Sequence, residues 1–259
     1  MTLTIRDLEI SFAGRSVVRL AQLDLGEQEI VGLVGESGSG KSMTALGILG
    51  LAEAAGATVT GSIRLDEQEL VGLGERALRE IRGRRIAMIL QNPISALSPV
   101  FRVGDVFTRT LRLHGVPRSE AVPRALQALD EVLLPSELLR RYPHELSGGQ
   151  AQRIAIALAI ALRSRVLLAD EPTSALDVTV QAEIVELLED LRARERMSIL
   201  FISHDLAVVA QLCDRVNVMQ SGSVVEMGTA EDVLQRPRHP YTRELLAAVP
   251  RLGVGTATA

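Results

Sequence analysis

The sequence predicts an α/β protein: a parallel sheet with helices on both faces, preceded by an antiparallel β unit and interrupted by a helical insertion. Three observations predict it. Short apolar runs typical of buried strands alternate with helical patterns near both ends of the chain. Residues 103–162 follow a helical pattern interrupted by prolines. Residues 3–25 alternate apolar and polar side chains, as two paired strands do.

The elements can be predicted in order along the chain. The first two strands flank Ala13-Gly14, which we expect to form the turn between them. A buried strand is predicted over 30–34, followed by a glycine-rich loop and a helix over about 41–51. A longer helix is predicted over 178–194, where apolar residues recur at helical spacing. The remaining predicted strands are 59–65, 86–90, 166–169, 199–203 and 216–219.

Four prolines punctuate the helical insertion: Pro117, Pro123, Pro135 and Pro143. Each is expected to mark a helix boundary, because proline lacks an amide proton and clashes with the preceding turn in a helix interior. The insertion is therefore predicted to consist of several amphipathic helices separated at these residues.

The composition is that of a globular protein, with 259 residues of which 47% are hydrophobic and 23% charged. This balance excludes a disordered chain. The net charge of −4 argues against a nucleic-acid partner, although residues 79–85 hold four arginines. The longest apolar run, 154–162, would rise about 13 Å as a helix, which is too short for a bilayer core of about 30 Å. The single cysteine, Cys213, favours a reducing, cytoplasmic setting and is expected in the core.

Residues 35–42 read Gly-Glu-Ser-Gly-Ser-Gly-Lys-Ser and fit the phosphate-loop pattern G-x-x-x-x-G-K-[ST], between a predicted strand and a predicted helix. The glycines let the backbone turn several N–H groups toward phosphate oxygens. Lys41 would meet the β and γ phosphates, and Ser42 would offer a hydroxyl to Mg²⁺. The alternative is a flexible loop without a ligand. The predicted ATP-contacting residues here are Gly35, Ser37, Gly38, Gly40, Lys41, Ser42 and Met43.

Two carboxylates, Asp170 and Glu171, directly follow the apolar run 166–169. The carboxyl ends of parallel strands form the ligand-binding edge of an open sheet, so we expect both acids near the phosphate loop. Asp170 would hold Mg²⁺, directly or through water, and Glu171 would orient or deprotonate the attacking water. The alternative is a solvated acidic loop.

Residues 146–150, Leu-Ser-Gly-Gly-Gln, resemble the signature of the ATP-binding cassette (ABC) ATPases. They stand in the family's order, after the phosphate loop and before the acidic strand. On the residues alone, a serine followed by two glycines is an anion-binding helix N-terminus. Four further positions are similar to family elements, namely Gln91 to the Q-loop glutamine, Asp177 to the D-loop aspartate, His204 to the switch histidine and Phe12 to the aromatic residue that stacks on adenine.

The resemblance implies the ABC ATPase fold, a RecA-like P-loop NTPase core with an antiparallel β subdomain and an inserted α-helical subdomain. It implies one domain over 1–259, divided into a core with its β subdomain (1–91 and 166–234), a helical subdomain (92–165) and a C-terminal extension (235–259).

The resemblance also implies roles for particular residues. Glu171, His204 and Gln91 would be catalytic, and Gln91 would join Ser42 and Asp170 around Mg²⁺. Alternatives remain for three positions: Phe12 could pack as a strand residue, His204 could be a neutral surface residue, and Asp177 could cap the following helix, alone or in addition. The remaining implied nucleotide contacts are Phe12, Ser147, Gly148, Gly149, Gln150 and Asp177.

Two further stretches, 93–104 and 238–246, resemble segments of the dipeptide, oligopeptide and nickel importer ATPases. This implies an ATP-hydrolysing subunit at the cytoplasmic face of the inner membrane that energises the uptake of peptides or of nickel or metal-chelate solutes. Its implied partners are a homologous, non-identical ABC ATPase, two membrane permease subunits and, indirectly, a solute-binding protein outside the cytoplasm. The alternative is a soluble ABC ATPase of a protein-assembly system such as iron–sulfur cluster biogenesis. A chromosome-structural ATPase is disfavoured, because no long coiled coil separates Lys41 from Leu146.

Overall fold

The computed structural model describes residues 2–174 and 176–248. Two sheets form the framework, one antiparallel and one mostly parallel. The strands are β1 (Leu3–Phe12), β2 (Arg15–Leu25), β3 (Ile30–Val34), β4 (Thr58–Leu65), β5 (Gln68–Glu69), β6 (Ile86–Ile89), β7 (Val166–Asp170), β8 (Ser198–Ser203), β9 (Arg215–Gln220) and β10 (Ser223–Thr229). The helices are α1 (Lys41–Ile48), α2 (Glu75–Ile81), α3 (Pro93–Ala96), α4 (Val103–Leu113), α5 (Arg118–Glu131), α6 (Gly148–Leu162), α7 (Val178–Glu195), α8 (Leu206–Leu212), α9 (Ala230–Gln235) and α10 (Pro240–Ala247).

The antiparallel sheet has the strand order β2-β1-β4-β5. Its first hairpin turns at Ala13 and Gly14, whose φ angles of 46° and 81° are both left-handed. Two successive left-handed residues match the right-handed twist of the flanking strands, so they favour a tight hairpin. The alternating apolar residues of β1, Leu3 and Ile5 among them, are fully buried. The predicted pair of strands and its turn are confirmed.

Glu69, on β5, links strand β4 to the residues that follow β5. Its carboxylate accepts hydrogen bonds from the Ser62 hydroxyl and from the amides of Ile63, Leu70 and Val71. Burial alone would raise the pKa of Glu69, but these four donors lower it below its ordinary value. The ionised form of Glu69 therefore stabilises the folded sheet.

The six-stranded central sheet has the order β10-β9-β3-β8-β7-β6. All neighbouring strands are parallel except β10, which pairs antiparallel with β9 at one edge. Every residue of β3, β7 and β8 is buried, as expected for strands covered on both faces. The predicted parallel sheet is confirmed, and β10 is a strand that the sequence analysis missed.

The central sheet separates two apolar layers. Ile30 and Val34 of β3 pack in one layer with residues of α4–α8. Val31 and Leu33 point to the other layer, which contains α1 and the antiparallel sheet. The first helix of the second layer, α1, ends at Ile48 rather than at the predicted residue 51, because Gly50 adopts a left-handed φ of 61°.

Pro123 lies inside α5, so the prediction that it marks a helix boundary is wrong. Proline leaves the carbonyl of Ser119, four residues earlier, without its helical N–H partner. Both residues are exposed, so water can bond to that carbonyl. The opposite face of α5 buries Ala121, Ala125 and Leu129, and this burial stabilises the helix across the proline.

The other three prolines of the insertion lie at boundaries, as predicted. Pro117 directly precedes α5, and Pro135 and Pro143 stand at the start of short 3₁₀ turns. Within the described part of the chain, no helix is both long and apolar enough to cross a bilayer.

Cys213 follows α8 and is buried, which confirms its predicted place in the core. Its sulfur packs against Gly32 of β3, where a Cβ would lie only 3.2 Å from Sγ. Burial, together with the nearby Asp214 carboxylate, raises the pKa of the Cys213 thiol far above its ordinary value. The thiol is therefore protonated and shielded.

Candidate nucleotide site

The phosphate loop connects the end of β3 to the start of α1. Gly35 must be glycine, because a Cβ there would lie 2.1 Å from the carbonyl oxygen of Met219. Gly40, at the helix N-cap, has a left-handed φ of 106° that side chains disfavour. These two residues let the backbone make a tight loop directly before a helix N-terminus, which attracts anions.

Lys41 occupies the centre of this loop. It is only 4% exposed, and its Nζ donates to the carbonyl oxygens of Gly35 and Glu36, each at 2.8 Å. Burial lowers the pKa of Lys41, while the carboxylates of Glu171 and Asp170 oppose that shift. A buried ammonium next to acids is ready to exchange carbonyl partners for phosphate oxygens.

Ser42 and Asp170 lie 128 positions apart in the sequence and are in contact in the fold. The Ser42 hydroxyl donates to Asp170 Oδ1 at 3.0 Å. Burial raises the pKa of Asp170, and the neighbouring Glu171 adds to that effect, whereas Ser42 and Lys41 partly offset it. A buried carboxylate beside a hydroxyl offers the oxygen ligands that Mg²⁺ prefers and a charge that a cation would neutralise. The residues present therefore fit a magnesium ion.

Glu171 lies between Gln91 and His204. Gln91 Nε2 donates to Glu171 Oε2 at 2.8 Å, and His204 Nδ1 lies 3.2 Å from Glu171 Oε1. The Glu171 side chain is 15% exposed, whereas that of His204 is 60% exposed. Each carboxylate oxygen thus lies beside a polar side chain, Gln91 after β6 or His204 after β8, and the hydrogen bond from Gln91 orients the carboxylate.

The backbone at Glu171 is strained, and a hydrogen bond to β8 holds it in place. Its φ of 48° is left-handed, a conformation that costs a side-chain-bearing residue about 1–3 kcal/mol. Its N–H donates to the carbonyl of Ile202 in β8 at 2.8 Å. This bond holds the turn after β7, so the carboxylate leaves the sheet edge toward the phosphate loop.

A single pocket of 680 Å³ joins the loop to the acid. Most of the predicted catalytic and phosphate-contacting residues line it. Val17, Glu36 and Leu245 also line the pocket and were not among the predicted site residues. Glu36 stands at a variable position of the phosphate loop, and the other two have apolar side chains outside it. The predicted residues that line the pocket are Gly35, Ser37, Gly38, Gly40, Lys41, Ser42, Met43, Gln91, Glu171 and His204.

The signature residues lie elsewhere. Ser147 is the N-cap of α6, and its side chain and that of Gln150 each accept the other's backbone N–H. Ser147, Gly149 and Gln150 line a separate pocket of 690 Å³ that contains no residue of the phosphate loop. Gly149 lies close to α7, where a Cβ would approach Val180 Cγ1 to 2.6 Å. Among the described residues, the phosphate loop and the signature residues therefore line two separate pockets.

Asp177 and Phe12 lie outside both pockets. The Asp177 side chain accepts from the amides of Thr179 and Val180, so it caps α7 as the alternative interpretation predicted. Phe12 is half-buried at the end of β1, opposite Arg15. The nucleotide contacts predicted for these two residues stay predictions.

Comparison with known families gives two matches. Residues 18–174 match the ABC transporter family, and residues 225–258 match the oligopeptide/dipeptide transporter C-terminal region. The probable peptide ABC transporter ATP-binding protein y4tR of Sinorhizobium fredii is 46% identical over 96% of this chain and 77% of its own length. The glutathione import ATP-binding protein GsiA of Salmonella typhimurium is 46% identical over 97% of this chain, which spans only 42% of GsiA.

Solved structures share the fold. The cbiO1 subunit of the cbiONQ ABC transporter complex from Clostridium perfringens superposes with a TM-score of 0.79, at 25% identity and 96% coverage of both chains. The ATP-binding cassette MJ0796, seen as a dimer after hydrolysis with ADP and Pi, gives a TM-score of 0.76 at 26% identity, covering 88% of this chain and 98% of that one. The relatives favour a transporter subunit over a soluble assembly ATPase. Since the family match runs from the strands before the phosphate loop through Glu171, the chain belongs to the ABC transporter family and is one of its ATP-binding ATPases.

Proposed function

We propose that this chain is the ATP-hydrolysing subunit of an ABC importer that takes up peptides, working with Mg²⁺ at the cytoplasmic face of the inner membrane. The observation that carries the ATPase role is the pocket in which Glu171 is oriented between Gln91 and His204 beside Lys41. The peptide class is supported by the match of residues 225–258 and by the relatives y4tR and GsiA.

The chain's own residues would divide the work of hydrolysis. Lys41 binds the β and γ phosphates, and the amides of the loop bind the remaining oxygens. Glu171 accepts a proton from the attacking water at its carboxylate, which Gln91 and His204 keep in position. Mg²⁺ held by Ser42 and Asp170, with Gln91 nearby, would neutralise charge on the phosphates.

A second ABC ATPase would complete the site. The phosphate loop and the signature residues Ser147, Gly149 and Gln150 line different pockets, so one copy cannot place both against the same nucleotide. A head-to-tail pair would bring the signature N–H groups of one subunit to the γ-phosphate held by the other. The dimeric state of MJ0796 supports such a pair. We infer a homologous, non-identical partner, with Phe12 on the adenine and Asp177 near the interface.

The permease subunits would dock against the helical insertion. A groove of 850 Å³ lies between β6 and helices α3, α4 and α6. Leu90, next to Gln91, and Leu113, whose side chain is largely exposed, both line it. An apolar groove beside the Gln91 segment would couple nucleotide state to a membrane partner, with residues 92–165 moving as a unit relative to 1–91 and 166–234.

Co-expression with the permeases and the second ATPase encoded beside this chain tests the proposal. We expect the subunits to co-purify from membranes and their ATP hydrolysis to rise when a loaded solute-binding protein is added. Dipeptide, oligopeptide, glutathione and a nickel chelate would be compared as solutes. A complex that forms but responds only to the nickel chelate would contradict the peptide class, and the lack of any membrane partner would contradict the importer role.

A further inference from the structure

The last described helix, α10, is attached directly to the phosphate loop. Tyr241, which is 5% exposed, accepts the backbone N–H of Glu36 on its hydroxyl oxygen at 3.0 Å. The two residues are 205 positions apart in the chain. This contact takes no part in the proposed hydrolysis.

The start of α10 is itself anchored. The Glu226 carboxylate, on β10, accepts the amides of Arg238 and His239 at 2.7 and 3.0 Å. His239 then caps α10 by accepting the Tyr241 amide on Nδ1 at 3.3 Å. Because β10 belongs to the central sheet, these bonds fix the position of the Tyr241 ring relative to the sheet.

Glu36 is held at both ends of its backbone. Its N–H bonds to Tyr241, and its carbonyl accepts the ammonium of Lys41 at 2.8 Å and the amide of Ser39 at 3.2 Å. When nucleotide phosphates engage Lys41, the Glu36 carbonyl must share or lose that ammonium. The Tyr241 hydroxyl binds the Glu36 N–H and not Lys41. The bond between Tyr241 and Glu36 can therefore persist when Lys41 turns to the phosphates, and it keeps this end of the loop in place.

Leu245, one helical turn after Tyr241, belongs to the same face of α10 and lines the nucleotide pocket. Helix α10 therefore contacts the site at two points, a polar one on the loop backbone and an apolar one at the pocket wall. A helix that served only to cover the core would need neither the hydrogen bond to the loop nor the side chain in the pocket wall.

We propose that Tyr241 is a positioning residue for the phosphate loop: by holding the Glu36 amide, it keeps the loop in its nucleotide-binding shape. This inference rests on the proposed ATP site. Without the hydroxyl, the loop would sample shapes that cannot bind, and the apparent affinity would fall by the fraction of time spent in them.

The test is Tyr241→Phe in the 259-residue chain, with Tyr142→Phe as the matched control. The chain has two tyrosines, and Tyr142 lies under Arg102 in the helical insertion, away from the phosphate loop. Calorimetric titration with Mg²⁺-ADP, which cannot be hydrolysed, gives Kd. Steady-state assays in the assembled complex give KM for ATP and kcat, and thermal unfolding gives the midpoint without nucleotide.

For Tyr241→Phe, we expect Kd for ADP and KM for ATP to rise about threefold to tenfold, the factor for one hydrogen bond, with kcat within about twofold. The unfolding midpoint should fall by no more than about 4 °C. Tyr142→Phe should leave Kd unchanged. A Tyr241→Phe chain with unchanged Kd, whatever its midpoint, would show that the contact only stabilises the fold and would overturn the inference.

A second variant covers the case in which Tyr241→Phe does not fold. Glu226→Gln weakens the anchor of α10 without touching the loop, and Kd should rise in the same direction by a smaller factor. Unchanged Kd in Glu226→Gln would then overturn the inference. If the unaltered chain itself bound no ADP, the proposed function would fail, and this inference with it.

Discussion

Replacing Glu171 with glutamine removes the proton acceptor of the proposed reaction and little else. The side chain keeps its length and its planar end, so its amide oxygen can still accept from Gln91 Nε2, now 2.8 Å away. A neutral imidazole can present Nδ1 as either donor or acceptor, so His204 can adapt to the new amide. The phosphate loop, held by its own contacts, is not altered.

The size of the effect follows from the role. A positioned general base contributes about 10²–10⁴-fold to a rate, which equals about 3–5 kcal/mol of barrier. Two neighbours orient the Glu171 carboxylate and it is mostly buried, so we expect the upper part of that range. Affinity for ATP should change less than about threefold, because the glutamine side chain keeps the contact to Gln91 although it loses the negative charge.

The assay measures ATP affinity and the rate of phosphate release for each variant. ATP binding is measured on the purified chain, and phosphate release is measured in the complex with its permeases and second ATPase. Gel filtration with ATP then asks whether the unhydrolysed nucleotide traps the paired subunits. Glu67→Gln, at a nearly fully exposed position, controls for the loss of one carboxylate. Turnover within about tenfold of the unaltered complex, with ATP binding intact, would refute Glu171 as the general base.

Three further predictions concern charged residues, two in the nucleotide pocket region and one in the antiparallel sheet. Lys41→Ala should weaken ATP binding by about 10-fold to 100-fold, the cost of losing a charged hydrogen-bond donor, and calorimetry showing unchanged Kd would contradict the assigned loop. Asp170→Asn should raise the unfolding midpoint by a few degrees at pH 7, because burial raises the pKa of Asp170 and disfavours its charge, while Mg²⁺-dependent hydrolysis falls about 10²-fold or more. Glu69 has a lowered pKa, so its stabilisation is present above pH 4.5 and is lost as the pH falls through the folded-state value. Glu69→Gln should therefore cost about 1 kcal/mol at pH 7, and the difference in unfolding free energy should narrow in acid; a pH-independent difference would contradict this assignment.

The parts of the fold that depend on local pattern could be predicted from the sequence. The apolar run of β3 and the glycine-rich loop after it are recognised from a few consecutive residues. A buried strand followed by this glycine pattern is compatible with few structures other than a phosphate loop. Asp170 and Glu171 could be placed at the ligand edge because parallel strands share the direction of their carboxyl ends. Residues at the ends of β6 and β8 meet there for the same reason.

The other features of the fold and the site depend on contacts that no local sequence pattern reveals. The Pro123 prediction was wrong because an exposed proline can be tolerated when the opposite face of its helix is buried. The contact between Tyr241 and Glu36 joins residues far apart in the chain, and a tyrosine in a proline-led helix gives no sign of its partner. Val17 lines the pocket only because β2 packs beside the loop, which strand periodicity alone does not reveal.

The buried thiol of Cys213 makes the chain well suited to spectroscopy. A protonated sulfur inside the core reacts slowly with maleimide and methanethiosulfonate reagents, which are electrophiles that accessible thiolates attack. Cysteines introduced at exposed positions away from both pockets, such as Glu67 and Val100, would therefore take up spin labels without first removing the native cysteine. Distances between such labels, measured across two subunits in a working transporter, would follow each cycle of approach and separation directly.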